Sequence, residues 1–231
     1  MVKTARTIRL ALLMALWVVP AWAQDAKQLD RVLSQMDDTA SKFKTTQANF
    51  VWDQFQKVVN ETDTQKGKVY FRKLDKQTQM VADITEPDSK YVLFADGKVQ
   101  VYQPKIEQVT VYDASKSRGD FESFLVLGFG GGGHDMQKSF DVKYLGNEKA
   151  NGVEAAKLEL TPKSVKLRNN FQSILLWIDP ARGISVQQQF IEPSGDYRLA
   201  KYSDIEMNQR IPDTVFKLKT TGKTKIISPQ G

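Results

Sequence analysis

FADGKVQVYQPKIEQVTVY, residues 94 to 112, sets several strands and turns in one short run. Asp96-Gly97 is a tight-turn dipeptide, because glycine accepts the positive φ that two-residue hairpin turns need. Val99 and Val101 then alternate with polar neighbours, the period of a half-buried strand. Pro104 interrupts the run, and Val109 and Val111 restart it. The stretch reads as consecutive antiparallel strands joined by short turns.

The same period extends in both directions. Candidate strands are 48–60, 67–73, 79–84, 91–95, 98–102 and 107–112, then 140–145, 155–160, 173–178, 185–192, 197–207 and 216–219. Turn signals fall at Asn60 to Gln65, Glu86-Pro87-Asp88, Asn151-Gly152 and Ser194-Gly195-Asp196. Upstream, residues 25–43 form the clearest helix. Leu29, Val32, Leu33, Met36, Ala40 and Phe43 make one apolar stripe, and Asp25 with Gln28 resembles a capping box. A short amphipathic helix is expected around Phe121, Phe124 and Leu125, with Asp120 favouring its first turn. The glycine run Gly128-Phe129-Gly130-Gly131-Gly132-Gly133 follows and reads as a hinge between helices. About eleven or twelve strands with two helical excursions make a mainly β, α+β chain whose antiparallel sheet curls on itself.

The ends and the composition bound the rest. Lys3, Arg6 and Arg9, the apolar run from Leu10 to Val19, and Ala21-Trp22-Ala23 have the order of a cleavable signal peptide over residues 1–23. The apolar run is well short of the ~20 residues that a membrane span needs. Residues 24–231, without repeat or linker, are expected to be a single soluble, exported domain. There is no cysteine, so neither a disulfide nor a cysteine-linked lipid anchor is available. Removing the leader lowers the formal charge from +6 to +3. The remaining positive charge is scattered among Asp and Glu, which argues against a nucleic-acid partner.

Catalytic and metal chemistry find little footing. The glycines are followed by His134-Asp135-Met136, where a phosphate loop would place Lys and Ser/Thr. His134 is the sole histidine, so a metal site would have only carboxylates to add; a solvated loop histidine is expected, with no metal and no cofactor. No Gly-x-Ser-x-Gly elbow is present. Asp37-Asp38 read as the polar face of the first helix. No enzyme is expected.

What the chain does carry is apolar strand surface. The candidate inward set is Phe50, Trp52, Val69, Phe71, Met80, Ala82, Ile84, Val99, Val101, Ile174, Leu176 and Phe190. Leu33, Met36, Phe121, Phe124 and Leu125 would cover it from above. Such a face is either ordinary core or, on a wide or open sheet, the wall of a ligand cavity. Tyr70, Tyr102 and Trp177 lie on the opposite parity.

The order of these pieces resembles the LolA family of periplasmic lipoprotein carriers. The resemblance rests on Asp96, Gly97 and Lys98, then Tyr102, Pro104, Glu107 and Gln108. It extends to the strand with Phe50 and Gln54, the Gly67 strand and Ile84-Thr85-Glu86-Pro87-Asp88. It continues through a lid-like insertion to Ile211-Pro212-Asp213-Thr214-Val215-Phe216 and Pro229-Gln230-Gly231. The resemblance implies an open antiparallel half-barrel of about eleven strands under a helical lid, and a monomer. It also implies a carrier in the periplasm of a Gram-negative type bacterium, which binds acylated lipoproteins by their acyl chains and ferries them from inner to outer membrane. An inner-membrane ABC-type release complex and an outer-membrane receptor would be its partners. The family's second strand often ends in Arg-Pro, whose arginine holds the lid. Here Phe71-Arg72-Lys73-Leu74-Asp75-Lys76-Gln77 lacks the proline, leaving Arg72 or Lys76 as latch, with spacing from Pro87 favouring Lys76. The alternative is a periplasmic lipid-binding or sensor module that contacts a membrane regulator.

Overall fold

The computed structural model describes residues 21–75, 77–115 and 127–229. Outside them lie most of the expected signal peptide, Lys76, the expected helix with Phe121, Phe124 and Leu125, and Gln230-Gly231.

A helix, α1 (Ala21–Lys42), precedes six strands: β1 (Thr45–Gln56), β2 (Glu61–Leu74), β3 (Gln77–Glu86), β4 (Lys90–Ala95), β5 (Lys98–Gln103) and β6 (Gln108–Asp113). After the interruption come α2 (Gly133–Ser139), β7 (Phe140–Ala150), β8 (Val153–Pro162), α3 (Val165–Arg168), β9 (Ser173–Asp179), β10 (Ile184–Ile191), β11 (Tyr197–Met207) and β12 (Lys225–Ile227). The twelve strands form one sheet in the order β12-β6-β5-β4-β3-β2-β1-β11-β10-β9-β8-β7. Two antiparallel meanders are thus joined where β1 pairs with β11, and β12 runs parallel to β6. β12 and β7 end the sheet without pairing with each other, so it does not close into a barrel.

Turn chemistry explains the meanders. Asp96 and Gly97 both take positive φ, 53° and 70°, as a two-residue turn between β4 and β5 requires. Asn151-Gly152 repeats the device between β7 and β8, with φ of 48° and 80°. Pro104–Ile106 is a single 3-10 turn closed by Glu107 at φ 47°, whose N–H donates to the Pro104 carbonyl.

Several sequence expectations are corrected. The turn between β1 and β2 is not Asn60 to Gln65 but 57–60, since Gln56 pairs with Glu61. Thr62 to Lys66 form strand without apolar alternation; their backbone pairs with β1, and Thr64 donates to Asp53 at 2.8 Å. Residues 216–219 are not a strand. Phe216 ends a 3-10 turn (Asp213–Phe216) and is buried against Val81, Leu93, Ala95 and Ile211 on the sheet's outer face. The last strand is β12 instead. α1 begins before Asp25, so Asp25 and Gln28 are interior residues and not a capping box.

The glycine run is also no hinge. A Cβ on Gly133 would collide with the Leu33 backbone, and one on Gly130 with the Phe43 ring. Gly128, at φ 78°, lies against Ser185, whose N–H donates to the Gly128 carbonyl at 2.7 Å. These glycines let the chain press against α1 and β10, and they lead directly into α2.

The inner face of the sheet divides in two. Over β7 to β10, Val32, Leu33 and Met36 of α1 pack with Leu127, Met136 and Phe140 onto Leu158, Leu160, Ile174, Leu176 and Ile178. This half is solid. Over β1 to β3, the buried set is Phe43, Ala48, Phe50, Val69, Phe71, Ile84 and Phe129. A hollow lies beside this set.

Candidate functional site

Strand register brings the walls of the hollow together. Phe50 and Trp52 of β1 face Tyr202 and Ala200 of β11. Phe71 and Val69 of β2 face Met80 and Ala82 of β3. Ala200 and Arg198 of β11 face Gln188 and Phe190 of β10. These residues share the inner face, because side chains two apart on a strand point the same way. With Phe171, which precedes β9, they enclose about 210 Å³. Pockets for whole drug-sized ligands run to roughly 300–1,000 Å³, so this space fits part of a long chain.

The hollow is apolar along its length and polar at both ends. At the inner end Tyr202 donates its hydroxyl to Gln188 Oε1 at 3.1 Å, and the Gln188 amide nitrogen donates to the Leu127 carbonyl. Burial pushes the Tyr202 phenol far above its ordinary pKa, so it remains a neutral donor. At the other end Arg198 pairs with Glu192 at 2.8 Å. The Phe171 and Phe190 rings, 5.7 Å apart, stand beside that pair. Phe129 packs against two of the wall residues. Its ring stacks on Phe71 at 5.2 Å and meets Tyr202 edge-on at 4.6 Å, leaving it 1% exposed.

Of the expected inward set, Phe50, Trp52, Val69, Phe71, Met80, Ala82 and Phe190 line the hollow. Ile84 shares the face but is sealed in the core with Phe50 and Val69. Val99 and Val101 are half-buried further along the same face, opposite Phe94 and Val92, and do not reach it. Ile174 and Leu176 are fully buried beneath Leu33 and Met36 in the solid half. Gln188, Arg198, Ala200, Tyr202, Phe171 and Phe129 were not foreseen. Strand parity counted from Phe190 reaches Gln188, but hydropathy hides a row of Gln, Arg and Tyr.

Arg72, a latch candidate, points to the outer face. Its guanidinium donates to Gln79 Oε1 at 2.6 and 3.1 Å, pairs with Asp213 and lies 4.0 Å over the Phe216 ring. It therefore holds the C-terminal segment. Nearby, Tyr91 donates to the Val215 carbonyl, and burial pushes its phenol up to about 12.

His134 is exposed, but it is not in a loop and not without partners. It stands in the first turn of α2, with Nδ1 against Asp37 and Nε2 3.3 Å from Asp30, both on α1. The hydrogen bond to Asp37 raises its pKa, with a further contribution from Asp30. Asp37 is thus engaged and not merely solvated. Among the described residues no group of three or more His, Cys, Asp or Glu could hold a metal ion. No described helix is long and apolar enough to cross a membrane.

Residues 41–219 match the family model described as outer membrane lipoprotein carrier protein LolA. Among curated proteins, none matches the sequence. Solved structures resemble the fold at low identity. An uncharacterized conserved protein from Thermus thermophilus is 12% identical, with a TM-score of 0.53 over 88% of this chain and 99% of its own. The crystal structure of MucB is 12% identical, with a TM-score of 0.51 over 87% of this chain and 64% of its own. The Mycobacterium tuberculosis lipoprotein LppX is 11% identical, with a TM-score of 0.51 over 81% of this chain and 98% of its own.

Proposed function

This chain belongs to the outer membrane lipoprotein carrier protein LolA family, and from that premise we propose that it is a periplasmic carrier of lipoprotein acyl chains. The observation that carries the reading is the hollow between β1–β3 and β10–β11, walled mainly by apolar side chains, with Arg198 among its lining residues. An acyl chain cannot cross water bare, since each exposed methylene costs about 0.8 kcal/mol. Phe50, Trp52, Val69, Phe71, Met80, Ala82 and Phe190 would shelter it. Tyr202 and Gln188 satisfy each other, so the inner end asks nothing polar of the ligand.

A carrier must also release its cargo. Phe129 stands behind the wall of the hollow, stacked on Phe71. Displacement of this ring by a longer chain would exchange protein contacts for lipid contacts and keep the net affinity moderate. The donor would be an inner-membrane ABC-type release complex and the acceptor an outer-membrane receptor. No catalytic step is needed.

The test is mass spectrometry of ligands on freshly purified protein, beside a Met80→Asp variant. An unpaired carboxylate in an apolar wall is costly to bury. Lipoprotein bound to the unmutated chain and lost from Met80→Asp supports the reading; equal loading of both overturns it. Recovery of one integral membrane regulator without lipid would favour the sensor alternative.

A further inference from the structure

The hollow has a neighbour at Arg198. A second cavity of about 360 Å³ adjoins it, sharing Phe171 and Arg198. Its remaining walls are Asn169, Asn170, Glu192, Pro193 and Ser194. A mainly apolar lining therefore meets a more polar one at one ring and one guanidinium.

The fold builds this junction from two elements. On β10 and the residue after it, Gln188, Phe190 and Glu192 follow one another on the inner face; on β11, Tyr202, Ala200 and Arg198 do the same. The residues just after α3 bring Asn169 and Asn170 to the far side. Asn170 is held by its side-chain amide, which donates to the Lys166 carbonyl at 3.1 Å. Ser194 Oγ accepts from the Asp196 N–H at 3.2 Å and fixes the β10–β11 turn.

We propose that this polar annex seats the head group of the amphiphile whose acyl chain occupies the hollow. The inference rests on the carrier reading above. The chemistry of the head follows from the charges. Arg198 and Glu192 together are net neutral and 2.8 Å apart. A bare carboxylate, as on a free fatty acid, would compete with Glu192 for the guanidinium. A dipolar head fits both partners: its ester, amide or phosphate oxygens accept from Arg198, and its N–H groups donate to Glu192. The lipid-linked amino terminus of an acylated protein has that character, and so does a phosphatidylethanolamine.

The experiment uses the purified protein and N-phenyl-1-naphthylamine, an uncharged fluorescent probe, to report on the hollow. A synthetic diacylated lipopeptide, dioctanoyl phosphatidylethanolamine and palmitate are titrated as competitors. The readout is the ratio of competitor affinity to probe affinity. Arg198→Ala lowers that ratio about tenfold for the lipopeptide, the effect of one lost charge-assisted bond. It leaves the palmitate ratio far less affected, and Asn170→Ala moves the lipopeptide ratio in the same direction. If phosphatidylethanolamine shows the same dependence on Arg198 at higher affinity, the annex stands with a phospholipid as the source of the head. If the ratios are the same in both variants as in the unmutated protein, the annex is overturned while the carrier reading survives. Lipopeptide binding that persists in Met80→Asp overturns the carrier reading itself.

Discussion

Tyr202 and Gln188 close the inner end of the hollow through one hydrogen bond of 3.1 Å, donated by the phenol. Gln188 is 5% exposed, and its amide nitrogen donates to the Leu127 carbonyl just before the glycine run. This pair therefore ties β10 and β11 to the segment that places Phe129. Tyr202→Phe keeps the ring against Phe129 but strips Gln188 Oε1 of its donor. Leaving that acceptor unpaired costs about 1–3 kcal/mol. Urea unfolding should show the loss as a lower midpoint with an unchanged slope. A midpoint equal to that of the unmutated protein would mean that water replaces the phenol.

Gly133 touches the backbone of Leu33 where α2 crosses α1. Gly133→Ala has no flexible side chain to push aside, so the helices must separate. Overpacking of this kind costs about 1–3 kcal/mol. Gly152→Ala is a useful contrast, because its added Cβ meets nothing within 4 Å and its strain comes from φ alone. Thermal melts with far-UV detection should place Gly133→Ala below the unmutated protein. An α1 that kept its native protection from hydrogen exchange in Gly133→Ala would refute the close-approach account of the glycine run.

Turn chemistry was the most legible layer of this sequence, because it is local. Asp96-Gly97 and Asn151-Gly152 announce positive φ by residue type, and the strands they join follow. The site was only half legible. Phe190, Ile174 and Leu176 look alike by parity, yet Phe190 faces space while the other two lie beneath α1. Nothing on a strand says where a helix will settle. Phe129 was hidden by its glycine neighbours, which read as freedom when they supply closeness. Phe216 read as strand because it is apolar, but Arg72 and Val81 hold it on the outer face as part of a 3-10 turn.

Arg72 offers a direct separation of two roles. A planar fork over Phe216, bonded to Gln79 and Asp213, is a structural clasp for the C-terminal segment. Lysine keeps the charge but cannot reproduce that fork. Arg72→Lys should cost about 1–2 kcal/mol. Limited proteolysis should then cut faster after Lys217 or Lys219, while probe binding in the hollow changes less than about twofold, since Arg72 lies across the sheet from it. Loss of probe binding with an intact C-terminal segment would return Arg72 to the latch role that the family pattern gives this region.

The His134 clamp gives the protein a pH dependence of known sign. Asp37 and Asp30 of α1 face the ring, and on α2 the neighbouring Asp135 is occupied by Lys138 at 2.6 Å. The folded-state pKa of His134 is raised, chiefly by Asp37. Its stabilising contribution is thus fully present below the unfolded value of about 6.5 and is lost as pH rises through the folded value. Solvent screening limits so exposed a pair to about 1 kcal/mol or less, or roughly 2–4 °C in Tm. The Tm difference between the unmutated protein and His134→Gln should be greatest near pH 5.5, shrink towards pH 9 and fall in high salt. A difference that is flat across this range would show that the ion pairs of His134 contribute nothing and that α1 and α2 are held by packing, through Leu33–Gly133 and Met136.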